Sequence, residues 1–153
     1  MKKGFTLVEL LIATLIFSIF IIGVYSVLEV GNFTVNRDMG MLELQQQARA
    51  AVEAIANEAR EASYAGVSGT GNGILAINTP LGNNIQFYLN GNQCIRLSPD
   101  GITTKVLANN INSLVFSLSD ANKVLTIQIV AQKTVDRRTL NFPFMTKVRL
   151  RNG

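Results

Sequence analysis

Lys2-Lys3-Gly4-Phe5-Thr6-Leu7-Val8-Glu9-Leu10-Leu11 leads into an apolar run, Leu10 to Leu28, that holds no charged residue. Thr14, Ser18, Tyr25 and Ser26 are its only polar interruptions, and it contains no proline. Counted from Phe5, the segment reaches the ~20 residues that a helix needs to cross a bilayer. Lys2 and Lys3 stand before it, and positive flanking charge favours the cytoplasmic side. The expectation is a single-pass membrane protein with everything after Leu28 outside the cytoplasm. A cleaved secretory signal fits less well. The run exceeds the ~7–15 residues of a signal core, and no small-x-small cleavage pattern follows near Leu28. A plain signal anchor fits the charges equally well.

Outward from that run the chain changes character. Apolar residues make up 48% of the 153, concentrated in the N-terminal stretch, while later segments alternate. The chain therefore reads as a membrane segment joined to a soluble part. It has no histidine and one cysteine, Cys94. An internal disulfide is excluded, as are serine-histidine and cysteine-histidine catalysis. A zinc site of the usual ligands is not expected, and no cofactor is read from the sequence. The last stretch is basic, with Lys133, Arg137, Arg138, Lys147, Arg149 and Arg151 against Asp136. Such an end can bind nucleic acid or acidic lipid, but it is more often a solvated strand face.

From Met41 to Tyr64, Leu44, Ala48, Val52, Ile55, Ala59 and Ala62 recur at helical spacing. The stretch is expected to form an amphipathic helix with its alanine-rich stripe docked on a sheet and its polar groups, Glu58 among them, turned outward. Gly31 and Gly40 weaken the intervening helix by about 1 kcal/mol each relative to alanine. If the helix is continuous, Phe5 to Tyr64 forms one rod of roughly 90 Å. Ala65 to Gly73, with four glycines, reads as a connecting loop. It lacks the Gly-Lys-Ser/Thr ending of a phosphate-binding loop. Strands are expected at Ile74–Asn78, Ile85–Leu89, Gln93–Leu97, Thr104–Leu107, Leu114–Leu118, Val124–Val130 and Leu140–Leu150. Asn90-Gly91, Pro99-Asp100-Gly101 and Ser119-Asp120-Ala121-Asn122 supply turns between them. In Val124–Val130 the residues Leu125, Ile127 and Ile129 share one face, the mark of a half-buried strand. The fold class is α+β, a long N-terminal helix packed on an antiparallel sheet. The segments are 1–4, 5–28, 29–64 and a β-rich domain at 65–153.

Glu9 is the informative residue. A carboxylate in a membrane segment costs about 2.5–3.5 kcal/mol at the centre and less near the surface, so it invites a functional reading. The plain alternative is a boundary residue reaching for the headgroups. Gly4-Phe5-Thr6-Leu7-x-Glu9 after a short basic leader, followed by a long apolar helix, resembles the type IV prepilin family, which includes the pseudopilins of type II secretion. The resemblance implies a pilin-like fold and cleavage between Gly4 and Phe5 by a membrane peptidase that also methylates Phe5. Formal charge would then fall from +4 to +2 as Lys2 and Lys3 leave. It also gives Glu9 a role in assembly, neutralising the terminal amine of a neighbouring subunit. Leu44-x-x-x-Ala48-Arg49-x-x-Val52-x-x-Ile55-x-x-Glu58-x-Arg60-x-Ala62-x-Tyr64 and Asn109-Asn110-Ile111-Asn112-Ser113-Leu114-x-Phe116 look like the PilW and GspJ group of minor pilins. Many major pilins carry a proline in the span and a C-terminal disulfide. Here the first proline is Pro80 and Cys94 stands alone. The isolated Asp136 among basic residues is a poor calcium site. These departures point to a minor subunit, while the presence of Glu9 counts against a tip subunit that lacks the acid.

Three functions follow. The first is a non-enzymatic structural subunit that helps initiate or cap a type IV pilus or type II secretion pseudopilus. Its implied partners are the prepilin peptidase, other major and minor pilins or pseudopilins, the inner-membrane assembly platform and lipid. Small residues such as Ala13, Ser18 and Gly23 would let neighbouring helices approach. The second is a DNA-binding minor pilin of a competence filament, using the basic end. The third is a membrane-anchored enzyme using carboxylates among Glu43, Glu53, Glu58 and Glu61, or Asp100, Asp120 and Asp136. Carboxylates interleaved with Arg49 and Arg60 on a helix are usually solvated instead.

Overall fold

The structure, a computed structural model, describes residues 6–62, 66–69, 71–78, 84–119 and 123–151. Gly4, Phe5, Tyr64 and the turn expected across 120–122 lie outside the described residues. The chain divides into two compact units, Met1–Asp38 and Met39–Gly153.

Helix α1, Leu7–Glu61, runs 55 residues and contributes to both units. It continues through Gly31 and Gly40, where the sequence suggests weakening. Strong helix formers such as Leu28, Met39, Met41 and Leu42 flank these positions and offset a cost of about 1 kcal/mol per glycine. In the first unit the described part of α1 is apolar around its circumference and exposed from Leu7 to Leu28. It is the one described helix long and apolar enough to cross a bilayer.

In the second unit α1 buries Gly40, Leu44, Ala48, Ala51, Val52, Ile55, Ala56 and Ala59. The seam 40-44-48-51-55-59 advances by fours and threes, tracking the 3.6-residue turn, so one face stays on the core. Alanines keep that face flat. At its start only glycine fits: a Cβ on Gly40 would lie 2.9 Å from Val135 Cγ2 and 3.3 Å from Leu140 Cδ1.

Two antiparallel sheets lie in this unit where the sequence suggests a single one. The strands are β1 (Val67–Ser68), β2 (Gly71–Asn72), β3 (Ile74–Asn78), β4 (Asn84–Asn90), β5 (Gln93–Leu97), β6 (Thr104–Ala108), β7 (Ile111–Ser119), β8 (Val124–Val135) and β9 (Arg138–Arg149). One sheet has the order β1-β3-β4-β5-β6 and the other β2-β7-β8-β9. The stretch read as a loop from Ala65 to Gly73 thus holds two short strands, one in each sheet. Their pairing to β3 and β7 is main-chain, and glycines leave no alternation to read. Gly69 (φ 75°) and Gly73 (φ 89°) take positive φ around β2, a conformation that glycine adopts without penalty.

The remaining strands fall where alternation places them, with longer ends. Leu125, Ile127 and Ile129 are buried together with Ala131. Two bulges break the alternation. One between Cys94 and Ile95 lets adjacent residues both turn from solvent, and one between Ile111 and Ser113 explains the step from Ile111 to Leu114 in the core. The β4–β5 loop is Gly91-Asn92, one residue later than the Asn90-Gly91 signal, because Asn90 still pairs with Gln93. In the next turn Gly101 N–H donates to Ser98 O at 3.0 Å. Asp100 accepts from the Ile102 and Thr103 amides and the Thr103 hydroxyl, and these bonds hold its carboxyl below the usual range.

Candidate functional site

The described helix begins one residue after Thr6. The Thr6 amide donates to Glu9 Oε2 at 2.9 Å, and its hydroxyl donates to the same oxygen at 3.0 Å. In return the Glu9 amide donates to Thr6 Oγ1 at 3.3 Å. This is a capping box, with Thr6 at the N-cap and Glu9 at the third helical position. The reciprocal bonds satisfy amides that the first turn leaves without intrahelical partners. A carboxylate here also faces the positive end of the helix dipole. The sequence points to Glu9 as an assembly group or as a boundary residue reaching for the headgroups, and the structure adds an intramolecular role. Thr6-x-x-Glu9 was the signal for the intramolecular role.

Three polar side chains of the apolar segment are satisfied in a way that suits lipid. Thr14 Oγ1 donates to Leu11 O at 2.9 Å, Ser18 Oγ to Thr14 O at 2.8 Å and Ser26 Oγ to Ile22 O at 2.9 Å. Hydroxyls bonded back to their own helix need no water.

Residues 1–25 match the prokaryotic N-terminal methylation motif. This motif is the type IV prepilin-like signal. It indicates a pilin-like precursor processed by prepilin peptidase, one that assembles with other pilins. The exposed apolar stretch of α1 from Leu7 to Leu28, most of it inside the matched residues, suits membrane anchoring. No curated protein and no solved structure matches the chain. Of the residues singled out in the motif, Glu9 lies in the first turn of α1. Gly4 and Phe5 lie outside the described residues.

Beyond the methylation motif, the second unit ties its helix to its sheets through side chains that the sequence reading left in solvent. Glu58 accepts from Arg96 of β5 at 2.8 Å (Nη2) and 3.1 Å (Nε), both bonds ending on Oε1. Both side chains are less than a third exposed. Glu43 pairs with Lys133 of β8 and accepts from Gln47 Nε2 at 3.1 Å. Gln47 Oε1 then accepts the Asn109 amide at 2.9 Å. Two of the helix carboxylates are therefore structural links to the sheets. Arg96 and Lys105 face α1 across a groove of about 450 Å³ that Asn57, Glu58 and Glu61 also line. Its charges are mixed, and Glu58 and Arg96 among them are paired.

Proposed function

We propose that the chain is a minor pilin or pseudopilin, a non-enzymatic subunit that helps initiate or cap a type IV pilus or type II secretion pseudopilus. The methylation motif leading into an apolar helix carries the reading. The loose sequence patterns of the docked helix and of β7 favour the PilW and GspJ group. In this reading the subunit is held in the inner membrane by a single span. Cleavage follows Gly4, and Phe5 becomes the N-methylated terminus. Glu9 then has two carboxylate oxygens to share between Thr6 of its own chain and the terminal amine of a neighbour. An unpaired charge in lipid is costly, so pairing gives both attraction and axial register.

The test is mass spectrometry of the native N-terminus together with filament incorporation of Glu9→Gln. Processed, N-methylated Phe5 with loss of incorporation in the variant is the expected result. A leader still attached in cells with an active peptidase overturns the proposal.

A second reading, contact with the phosphate backbone during DNA uptake, draws on the basic end. Lys147, Arg149 and Arg151 are exposed and have no acidic partner among the described residues. Binding of duplex DNA by the full chain in detergent, falling steeply with salt, would favour it.

A further inference from the structure

Met145 sits in β9 on the outward face of the four-stranded sheet. Leu125, Ile127 and Ile129 point into the core, so alternation turns Thr126, Gln128 and Val130 of β8 outward. Register places Lys147 opposite Thr126, Met145 opposite Gln128 and Pro143 opposite Val130. Met145 is 56% exposed, and Gln128 Nε2 donates to its sulfur at 3.6 Å. The other described methionines lie on α1: Met39 is exposed, and Met41 packs against the core.

A thioether sulfur is a weak acceptor, so the Gln128 amide gains little from it. Oxidation to the sulfoxide makes the side chain polar and gives it an oxygen that accepts well. In a core that change is disruptive, but here the oxygen emerges among donors. The strands of this sheet carry no acid. Lys147 stands two residues from Met145 on the same face, about 7 Å along the strand. Gln128 already points its N–H at the sulfur.

We propose that Met145 is a site of reversible oxidation by peroxide-class oxidants, with Gln128 receiving the new oxygen. A sulfur lone pair attacks one peroxide oxygen, forming the S–O bond as the O–O bond breaks. The departing hydroxide takes the proton from the transferred oxygen and leaves as water. Sulfur gives up an electron pair and the peroxide takes it. A sulfoxide reductase with a dithiol reverses the change, yielding the thioether, a disulfide and water. The modification turns the apolar patch of Met145, Pro143 and Val130 polar and leaves the core beneath it intact. It depends neither on leader cleavage nor on filament entry.

The test treats the full chain in detergent with hydrogen peroxide. Met39→Leu is introduced first, so that Met145 is the exposed methionine among the described residues, and native Cys94 is buried. Peptide mass spectrometry should find the Met145 sulfoxide forming several-fold faster than that of Met41. The thermal midpoint should hold on oxidation, and a sulfoxide reductase with dithiothreitol should restore the original mass. Adding Gln128→Leu should change this: oxidation then sets a polar group against an apolar neighbour, and the midpoint should fall relative to the reduced variant. Oxidation of Met145 no faster than of Met41 overturns the proposal. So does a midpoint shift of the same size with and without Gln128. Loss of leader processing leaves these readouts untouched, so the two proposals fail separately.

Discussion

Gly40 and Gly31 are the same residue in the same helix, but substitution should act on them with opposite sign. Alanine at Gly31 meets nothing within 4 Å and recovers helix propensity of about 1 kcal/mol. Alanine at Gly40 gains the same propensity but drives Cβ to 2.9 Å from Val135 Cγ2. Val135 is β-branched and held in a ladder, so it yields little, and overpacking costs about 1–3 kcal/mol. Gly40→Ala should therefore lower the thermal midpoint of the full chain in detergent while Gly31→Ala leaves it level or raises it. Midpoints that move together would show that packing does not decide the Gly40 position.

Cys94 offers a second test at this scale. It is fully buried, and burial pushes its thiol up to about 11. The folded state thus prefers the neutral thiol. Its contribution is complete below the unfolded value near 8.5 and is lost as pH rises through the folded value. Urea midpoints should fall between pH 8 and pH 10.5 more steeply for the native chain than for Cys94→Ala. Equal slopes would show that the thiol contributes nothing to the pH dependence.

At the scale of elements, the long hairpin of β8 and β9 turns on Asp136-Arg137, both with positive φ (48° and 63°). Two residues in that region close a two-residue loop whose twist matches the strands. Arginine is a poor choice there, since the left-handed conformation costs about 1–2 kcal/mol outside glycine. Arg137→Gly should raise the stability of the sheet by about 1 kcal/mol, read as a shift in the unfolding midpoint. A fall would mean that the Arg137 side chain contributes more than the turn costs.

The same turn shows where the sequence could be read and where it could not. Leu44, Ala48, Val52, Ile55, Ala59 and Ala62 were visible as a docked stripe because helical period and burial coincide. Leu125, Ile127 and Ile129 were visible for the matching reason in a strand. Asp136 is legible as a turn residue because aspartate tolerates the left-handed region, but Arg137 beside it is neither glycine nor asparagine and does not announce a two-residue hairpin. The short strands β1 and β2 were hidden because their pairing is main-chain. The links Glu58–Arg96 and Glu43–Lys133 join residues 38 and 90 positions apart, beyond the reach of any local pattern. At the N-terminus the processing signal was legible from residue identities. The capping role of Thr6 was equally local and went unread beside the stronger signal of Glu9.

Across the second unit, the open edges of both sheets are guarded. Each sheet ends on one side in a two-residue strand, β1 or β2, too short to template another chain. The edge strand β6 turns Lys105 toward α1 and faces a bulge, and both features discourage added strands. The edge strand β9 is 12 residues long and would be the exposed one, but Pro143 sits at its middle opposite Val130. The register to β8 passes through that pair unbroken, so the missing N–H belongs to the open side. A long free edge invites strand addition, which would compete with any ordered assembly. Pro143→Val restores an outward donor and a β-branched side chain flanked by Phe142 and Phe144. The variant should keep its fold, with stability within about 1 kcal/mol of the native chain, yet aggregate faster in detergent solution, with rising light scattering and dye binding typical of stacked strands. If scattering rises no faster than for the native chain, the proline is not what guards this edge, and the charges of Arg138, Lys147 and Arg149 carry the protection instead.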